Sequence, residues 1–555
     1  MNDIQKVLTY HNETKHYFQR FARSSGYLDW ENQPHPFLNY NGTKNIPLFF
    51  ANHFKSLVYD ELYSPISEVS HPFSLESISI LFRFSLGISA WKEIGPSRWA
   101  LRVNPSSGNL HPTEGYIITD LIENDHIPRV YHYVPEDHKL ETRGIVSSTV
   151  WKKLISTESG PCCFIGLTSI IWREAWKYGE RSFRYCQHDI GHAIGAIIFA
   201  ARLLGWKVKV LSNISSNDLA GMLGLEQGKR ADLEWEEPGI FVCVNPGKVT
   251  GTGTGTGTGT STGPVPSPNQ IKTSTNDSEW YGTVNTLSKN HVDWGLKDIS
   301  QATKQPGSTK SISQLKDQAL VESSCRSPAT DIIIQRRSAL ALDGTSGITK
   351  SSFIKYMNRV MPKNNPPWNS LWWKPRVHLV LFIHRVEGLE PGLYILIRDL
   401  DQLENIKSSL SQSFDWVSVE KGLPLFRLAS GDARQDSQQL SCNQSIAADG
   451  FFSIAMIVEF EAPIHDHGPW FYKNLYWETG VIGQVLYLES EAQGARSTGI
   501  GCFFDDHVHE ILEIKDMSYQ VLYHFTVGIP VEDQRLTSLP PYNDENLRHD
   551  PSGQY

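Results

Sequence analysis

Two long apolar segments, one in each half of the chain, dominate the hydrophobic pattern. Residues 185–206, YCQHDIGHAIGAIIFAARLLGW, are apolar nearly all round, which predicts a central buried helix. Residues 476–494, YWETGVIGQVLYLESEAQG, have the same character. An aromatic-rich stretch with a lysine precedes each segment, and a strand-like run follows it. The pattern therefore predicts two related helices in comparable surroundings.

Strand patterns also match between the halves. The run RVYHYVPEDHKLE at 129–141 corresponds to GLYILIRDLDQLE at 392–404. Together with the paired helices, this match predicts a degenerate internal duplication. Two similar domains in one chain imply a pseudo-two-fold arrangement, like a homodimer fused end to end.

A Gly-Thr tract divides the chain near its middle. Residues 251–270, GTGTGTGTGTSTGPVPSPNQ, can bury little, and they predict a flexible linker or surface insertion. Their spacing is not G-x-G-x-x-G and no helix pattern follows, so a phosphate-binding loop is not predicted. The expected organisation is one domain over 1–249, a linker over 250–279 and a second domain over 280–555.

Composition excludes several classes of protein. The chain has 555 residues, 40% of them hydrophobic, as in folded proteins with more than one domain. A formal charge of -9 without a basic stripe argues against nucleic acid or a membrane surface as partner. Seven cysteines without a C-x-x-C motif favour a reducing compartment, and the first residues lack the apolar run of a signal peptide. We expect a soluble cytoplasmic protein.

Two histidine-rich stretches contain metal-ligand residue types. HDH at 465–467 and DDHVHE at 505–510 each lack a third partner at matched spacing. We therefore predict no metal site.

Three short stretches combine small polar residues with turn formers. PSSGN at 105–109 lies between two apolar runs. RRS at 336–338 follows three isoleucines and a glutamine at 332–335, and STGIG at 497–501 follows the second long segment. Alone, each has an ordinary interpretation: a loop between strands, a solvated charge pair and a helix cap. These three stretches can form a binding site only if the fold brings them together.

Together with HP at 111–112, Glu114, the KYGERSFRYC and GHAIGA helix motifs, and GIPVEDQR at 528–535, these stretches resemble the nitroreductase family of flavoproteins. Within that family they resemble the double-domain relatives of SagB-type and azoline-oxidase dehydrogenases. The resemblance covers both halves. It implies an α+β nitroreductase-like fold that binds FMN, in two tandem degenerate copies forming an internal pseudo-dimer.

The resemblance also implies which residues hold FMN. Small turn residues allow the main chain to approach a flat isoalloxazine, and guanidinium groups bind phosphate with a fork of donors. STGIG is expected along the flavin edge, near N5. The implied cofactor-binding residues are Pro105, Ser106, Ser107, Gly108, Asn109, Arg336, Arg337, Ser338, Thr498, Gly499, Ile500, Gly501 and Arg535.

The two halves keep complementary motifs. The first half has PSSGN but neither RRS nor GIP, whereas the second has both of these and reads NNPPWNSLWWKPR where a turn is expected. In homodimeric nitroreductases each flavin lies at the subunit interface, with the turn from one subunit and the phosphate-binding residues from the other. The distribution therefore predicts one composite FMN site and one decayed site.

The resemblance further implies an acid/base pair, Lys177 and Tyr178, at the head of the first long helix. A tyrosine beside an ammonium group can move a proton during hydride transfer. An exposed lysine at a helix start is the alternative interpretation.

The expected function is that of an FMN-dependent oxidoreductase, an enzyme that dehydrogenates a small-molecule or peptide-borne substrate by hydride transfer to flavin. Two alternatives stay open: an NAD(P)H-dependent nitro, quinone or ene reductase, and a non-catalytic flavin-fold scaffold in a modifying complex. If NAD(P)H is the reductant, it docks on the flavin pocket itself. Monomeric and homodimeric forms both fit the sequence.

Overall fold

A computed structural model of the protein describes residues 1–50, 54–65, 70–155, 161–227, 230–246, 279–307, 315 and 325–542. Its strands, in chain order, are β1 Tyr40–Asn41, β2 Asn45–Pro47, β3 Ile88–Ile94, β4 Ser97–Arg102, β5 Thr113–Thr119, β6 Arg129–Val134, β7 Lys139–Ile145, β8 Cys163–Ile170, β9 Lys207–Val210, β10 Glu236–Asn245, β11 Thr283–Val284, β12 Ile348–Thr349, β13 Val377–Ile383, β14 Val386–Glu387, β15 Gly392–Leu396, β16 Val417–Glu420, β17 Leu423–Ser430, β18 Phe452–Glu459, β19 Arg496–Ile500, β20 Tyr519–Gly528 and β21 Thr537–Leu539. Its α-helices are α1 Asp3–Glu13, α2 Leu75–Arg83, α3 Ser148–Ile155, α4 Ile171–Tyr178, α5 Ser182–Leu203, α6 Ser216–Leu223, α7 Lys297–Ala302, α8 Ala329–Gln335, α9 Lys350–Val360, α10 Leu403–Ser409, α11 Arg434–Leu440, α12 Ile446–Asp449, α13 Glu461–His467, α14 Phe471–Ala492 and α15 Asp505–Leu512.

Two antiparallel seven-stranded sheets share one topology. Their strand orders are β2-β7-β6-β5-β8-β10-β9 and β16-β17-β15-β13-β18-β20-β19. In each sheet a long helix, α5 or α14, leads into the edge strand, and the next strand inserts between that edge and the sheet centre. One hydrophobic cluster runs through both halves. The architecture is α+β with an internal repeat, which confirms the predicted fold class.

The two long helices pack against each other at the centre of the molecule. All of α5 and most of α14 are buried, as their apolar pattern predicts. Gly191 of α5 and Gly480 of α14 meet at the crossing, where a Cβ on either glycine would overlap the backbone of the other helix. Only glycine permits so close an approach, and this contact fixes the two halves relative to each other.

The predicted helix and strand limits differ from the structure in several places. The first long helix, predicted over 185–206, is α5 at Ser182–Leu203, and Lys177 and Tyr178 lie at the end of α4 and not at the head of α5. The aromatic stretch before residue 476 belongs to α14, which begins at Phe471. The match between 129–141 and 392–404 holds only for its first strand, because β6 turns directly into β7 whereas α10 follows β15. The second strand of the later hairpin is β17, which pairs with β15 after this insertion.

Segments from each half pack on the other half. Near the N-terminus, the His11 ring contacts Tyr472 Oη at 3.4 Å and Gln520 Oε1 at 3.2 Å. Near the C-terminus, β21 joins β3 and β4 in a three-stranded sheet. β11 pairs with β1, so residues just after the predicted linker lie on the first half.

The proposed domain limits at 249 and 280 stay a prediction. Apart from residue 279, the linker at 250–279 lies outside the described residues. Among the helices that are described, none combines the length and the hydropathy needed to cross a membrane.

Candidate functional site

A cavity of about 500 Å³ lies between the two halves. Its wall contains every predicted site residue except Lys177 and Arg535. The predicted residues on the wall are Pro105, Ser106, Ser107, Gly108, Asn109, Tyr178, Arg336, Arg337, Ser338, Thr498, Gly499, Ile500 and Gly501. The structure thus brings the turn of the first half together with the arginines and the STGIG strand of the second.

Partly buried hydrogen bonds hold the 105–109 turn in place. Ser106 Oγ accepts from the His111 amide at 2.8 Å, and Asn109 Nδ2 donates to the Ala100 carbonyl at 2.9 Å. The Asp189 carboxylate, on α5, accepts from both the Ser107 amide and the Ser107 hydroxyl at 3.1 Å. The turn is therefore fixed to strand β4 and to the central helix, and one face of it is presented to the cavity.

Gly108 brings the turn close to Tyr178. Its φ is 58°, in the left-handed region, and a Cβ here would overlap the Tyr178 hydroxyl. The Tyr178 ring also contacts the ring of Tyr185, with centroids 4.6 Å apart. A side chain at position 108 would therefore displace the phenol that faces the cavity.

We expect Gly108→Ala to disturb the cavity more than the fold. Gly95→Ala is the matched control, because Gly95 has a φ of 54° and open space around its Cβ position. Both variants should lose about 1 kcal/mol of unfolding free energy from the left-handed backbone. Only Gly108→Ala should also weaken FMN binding, about tenfold or more, measured by fluorescence titration. Equal FMN affinities in the two variants would contradict this assignment of Gly108.

Arg336 is a buried cation with free donors at the other end of the cavity. Its side chain follows α8 and is 3% exposed, and Nη2 donates to the Arg102 carbonyl at 3.1 Å. The Nε and Nη1 atoms have no hydrogen-bond partner. The guanidinium lies over the Tyr487 ring at 4.9 Å from its centroid. Tyr487 Oη in turn accepts from the Gly499 amide at 2.9 Å, which ties the arginine to the STGIG strand.

Arg496, which also lies near Arg336, pairs with Glu491 and Glu532, but three other arginines on the cavity wall lack carboxylate partners among the described residues. Within the described ranges, no Asp or Glu oxygen lies within 4.0 Å of the guanidinium nitrogens of Arg102, Arg336 or Arg337. Burial, and then Arg336, lower the pKa of Arg337 to about 10. Unpaired buried guanidinium groups are costly without an anion. This end of the cavity therefore fits a phosphate group.

Arg535 is not part of this end. Its side chain is 77% exposed and donates to both oxygens of Asp533, at 2.9 and 2.7 Å. Asp533 itself lies on the cavity wall, so Arg535 is paired beside the cavity without lining it. We leave Arg535 out of the cavity wall, and its predicted role in binding phosphate stays a prediction.

Two buried carboxyl groups beneath the turn were not predicted from the sequence. Glu174 of α4 is fully buried with Oε1 3.5 Å from Ser106 Oγ, and its Oε2 has no partner. Asp189 reaches the cavity wall. Burial raises the pKa of Asp189 to about 7, and burial together with Asp189 raises the pKa of Glu174 well above its usual range. A carboxylate in a helix predicted to be buried is the signal that could have found Asp189.

This pair makes stability depend on pH. Because the folded-state pKa of each carboxyl exceeds its unfolded value, the folded state binds more protons, and stability falls as pH rises toward the folded pKa. For Asp189, with a pKa of about 7, we expect a loss of about 3 kcal/mol between pH 5 and 8. Denaturant unfolding at several pH values measures it.

The double variant Asp189→Asn, Glu174→Gln should show a much flatter profile over the same pH range. Asp125→Asn is the control, because this exposed carboxylate pairs with Arg129 and its pKa is lowered. That variant should keep the wild-type slope. A double variant with the wild-type slope would show that the pair does not titrate as the structure indicates.

The pKa of the Tyr178 phenol is raised, whereas activation by a neighbouring ammonium group would lower it. The sequence interpretation has the Lys177 ammonium activate the phenol, yet burial, and then Glu174, raise the pKa of Tyr178 well above its usual value. Lys177 Nζ lies 5.2 Å from the centroid of the Tyr178 ring and outside the cavity wall. At neutral pH Tyr178 is therefore protonated and is a hydrogen-bond and proton donor.

The corresponding region of the second half is filled by tryptophans. Residues 364–376 precede β13 as the 105–109 turn precedes β5, and they include the buried Trp368, Trp372 and Trp373. The turn at Trp368–Ser370 packs against β9, the counterpart of β19. Bulky indoles thus take the place of small turn residues, which supports the prediction of a single composite site.

Comparison with solved structures identifies the fold. A protein from Anabaena variabilis described as a nitroreductase superposes with a TM-score of 0.67 at 20% identity, covering 95% of this chain and 99% of that one. The E. coli microcin synthetase McbBCD complex matches 44% of this chain and 92% of its own chain, at 18% identity and a TM-score of 0.26. The NADPH:FMN oxidoreductase of Vibrio harveyi matches 36% of this chain and 68% of its own, at 12% identity and a TM-score of 0.22.

No protein-family model matches the sequence, and the sequence matches no curated protein. The Anabaena variabilis structure aligns over both halves of this chain, so it accounts for the repeat as well as for each sheet. The chain therefore has the nitroreductase-like fold, in two tandem copies within one polypeptide.

Proposed function

We propose that the protein is an FMN-dependent oxidoreductase that dehydrogenates a small-molecule or peptide-borne substrate. The observation that carries the proposal is the composition of the inter-half cavity, in which unpaired buried guanidinium donors lie at one end and a fixed turn with Tyr178 at the other. The volume of about 500 Å³ falls in the usual range of small-molecule sites.

The residues present fit FMN. Arg336 offers Nε and Nη1 to a phosphate, and Ser338 offers its hydroxyl, which lies 2.9 Å from Tyr487 Oη. The 105–109 turn and the STGIG strand offer main-chain groups and glycines to a flat ring. When bound, FMN supplies the acceptor for the hydride removed from the substrate.

The chain's own groups supply the proton chemistry. Tyr178 presents a protonated phenol to the cavity, close to Gly108. Asp189, with a pKa near 7, lies on the same wall and can take up or release a proton at neutral pH. Both groups belong to the first half, whereas the unpaired donors of Arg336 belong to the second half.

An absorption spectrum with a flavin titration tests the proposal. We expect the purified full-length chain to bind one FMN per chain without a covalent bond and to show the flavin absorption bands. A stoichiometry of two FMN per chain would contradict the composite site. Absence of FMN binding would favour the alternative function, a non-catalytic scaffold in a modifying complex. Once FMN is bound, steady-state NAD(P)H consumption separates a reductase from a dehydrogenase that draws electrons from its own substrate.

A further inference from the structure

Two cysteines from separate parts of the second half meet at the edge of the cavity. Cys442 lies in the turn after α11, and Cys502 follows β19 and Gly501. Their Sγ atoms are 2.7 Å apart. Cys502 lines the cavity, and both cysteines are only partly buried. A bond between the two sulfur atoms therefore needs little movement of either side chain.

The surroundings of Cys502 favour its thiolate. His16 Nδ1 accepts from the Ala22 amide at 2.9 Å, which leaves Nε2 as the donor toward Cys502. Arg181 donates to the carbonyl of Gly501 at 3.2 Å and adds positive charge nearby. The hydrogen bond with Cys442, and then His16 and Arg181, lower the pKa of Cys502 to about 5 against the effect of burial. The same pairing raises the pKa of Cys442.

The remaining cysteines have different surroundings. Cys162, Cys163, Cys186 and Cys243 are buried, and burial raises the pKa of Cys163 and Cys186. Cys325 is partly exposed. A low-pKa thiolate that is accessible and close to a second thiol is the arrangement of reactive cysteines, whereas buried thiols are inert.

We propose that Cys442 and Cys502 form a thiol–disulfide exchange site that acts on low-molecular-weight disulfides entering the cavity. The Cys502 thiolate attacks one sulfur of the disulfide RSSR, forms a mixed disulfide and releases RS⁻, which is protonated to the first thiol. Cys442 then loses its proton, attacks Cys502 Sγ and releases the second RSH. Two cysteine thiols are oxidised to one Cys442–Cys502 disulfide, and one RSSR is reduced to two RSH.

This activity goes beyond the proposed flavin chemistry and does not require it. The exchange needs only the two thiols and an external disulfide, so FMN binding can fail while the exchange proceeds.

Peptide mapping after oxidation tests the proposal. The full-length chain is reduced, desalted and treated with oxidised glutathione, and free thiols are then blocked with N-ethylmaleimide. Trypsin places the two cysteines in separate peptides, 435–473 and 497–515, each with one cysteine. We expect these peptides to be joined by a disulfide that dithiothreitol removes. Absence of the joined peptide would overturn the proposal.

Single variants assign the two roles. Cys442→Ser should retain one glutathione on Cys502, because the resolving thiol is missing, whereas Cys502→Ser should leave Cys442 without glutathione. Attachment to Cys502 in Cys442→Ser should rise less with pH between about 6 and 8 than attachment to an ordinary thiol, since His16 and Arg181 still favour the thiolate. Cys325→Ser is the control and should still give the joined peptide. The assigned order of attack would be overturned if the two single variants took up glutathione at the same rate, Cys502→Ser on Cys442 and Cys442→Ser on Cys502.

Discussion

Arg336→Met should raise the FMN dissociation constant by about a hundredfold or more, because two charge-assisted hydrogen bonds at about 1.5 kcal/mol or more each are lost. Arg336 Nε and Nη1 are the buried donors without a partner at this end of the cavity. Methionine keeps most of the apolar volume over the Tyr487 ring. Fluorescence quenching of FMN on titration with the apoprotein measures the effect.

The apoprotein of Arg336→Met should be as stable as the wild type or more stable. A buried guanidinium without a carboxylate partner destabilises a protein in the absence of its anion, so removing it relieves that cost. Arg336→Lys should give intermediate affinity, because an ammonium keeps the charge but not the fork of donors. Arg535→Met is the control, since its side chain is exposed and paired with Asp533. Unchanged FMN affinity in Arg336→Met would exclude this arginine from phosphate binding.

Much of the fold follows from local sequence patterns. The two apolar segments predict α5 and α14 because burial on all sides leaves a helix apolar all round. The PSSGN turn is predictable because Gly108 has a φ that glycine adopts at low cost. Such features depend on residues close in the chain, so a single sequence contains them.

The meeting of the site residues is not a local property. Ser107 and Arg336 belong to different halves, and only the packing of α5 on α14 brings them to one cavity. Resemblance to a family supplied that arrangement, since no pattern in the residues fixes it. The wrong match at 392–404 arose because a local pattern was misleading. The alternation of apolar and polar residues continues past β15, but the structure has helix α10 where that pattern predicted a second strand.

The groups that sequence reasoning missed are those whose chemistry is set by burial. Glu174 and Asp189 lie on different helices and form one carboxyl pair only because both are enclosed beneath the turn. Cys442 and Cys502 meet through the fold in the same way, although the sequence shows no C-x-x-C spacing. Arg535 was also assigned from a motif, and because the structure pairs it with Asp533 and not with the cavity, its role at the phosphate stays a prediction.

Tyr178→Phe should lower turnover about a hundredfold or more while FMN stays bound, because the reacting substrate loses the hydrogen bond of the phenol while its proton passes to a base such as Asp189. The phenol lies on the cavity wall beside Gly108, and its raised pKa keeps it protonated at neutral pH. Phenylalanine retains the ring that packs against Tyr185, so the fold and the FMN affinity should be unaffected. Stopped-flow reduction of FMN-loaded protein by any substrate that reduces the wild-type flavin measures the loss.

Tyr185→Phe is the matched control for Tyr178→Phe. Tyr185 lies on the same wall, but its hydroxyl donates to the carbonyl of Gly501 at 3.2 Å and is therefore committed to the main chain. Its removal should change turnover little. Lys177→Met should slow turnover less than Tyr178→Phe, because Lys177 lies outside the cavity and acts only through its position over the Tyr178 ring. Wild-type turnover in Tyr178→Phe would exclude the phenol from the proton chemistry and favour an NAD(P)H-dependent reductase, whose flavin is reduced by the nicotinamide without removal of a substrate proton.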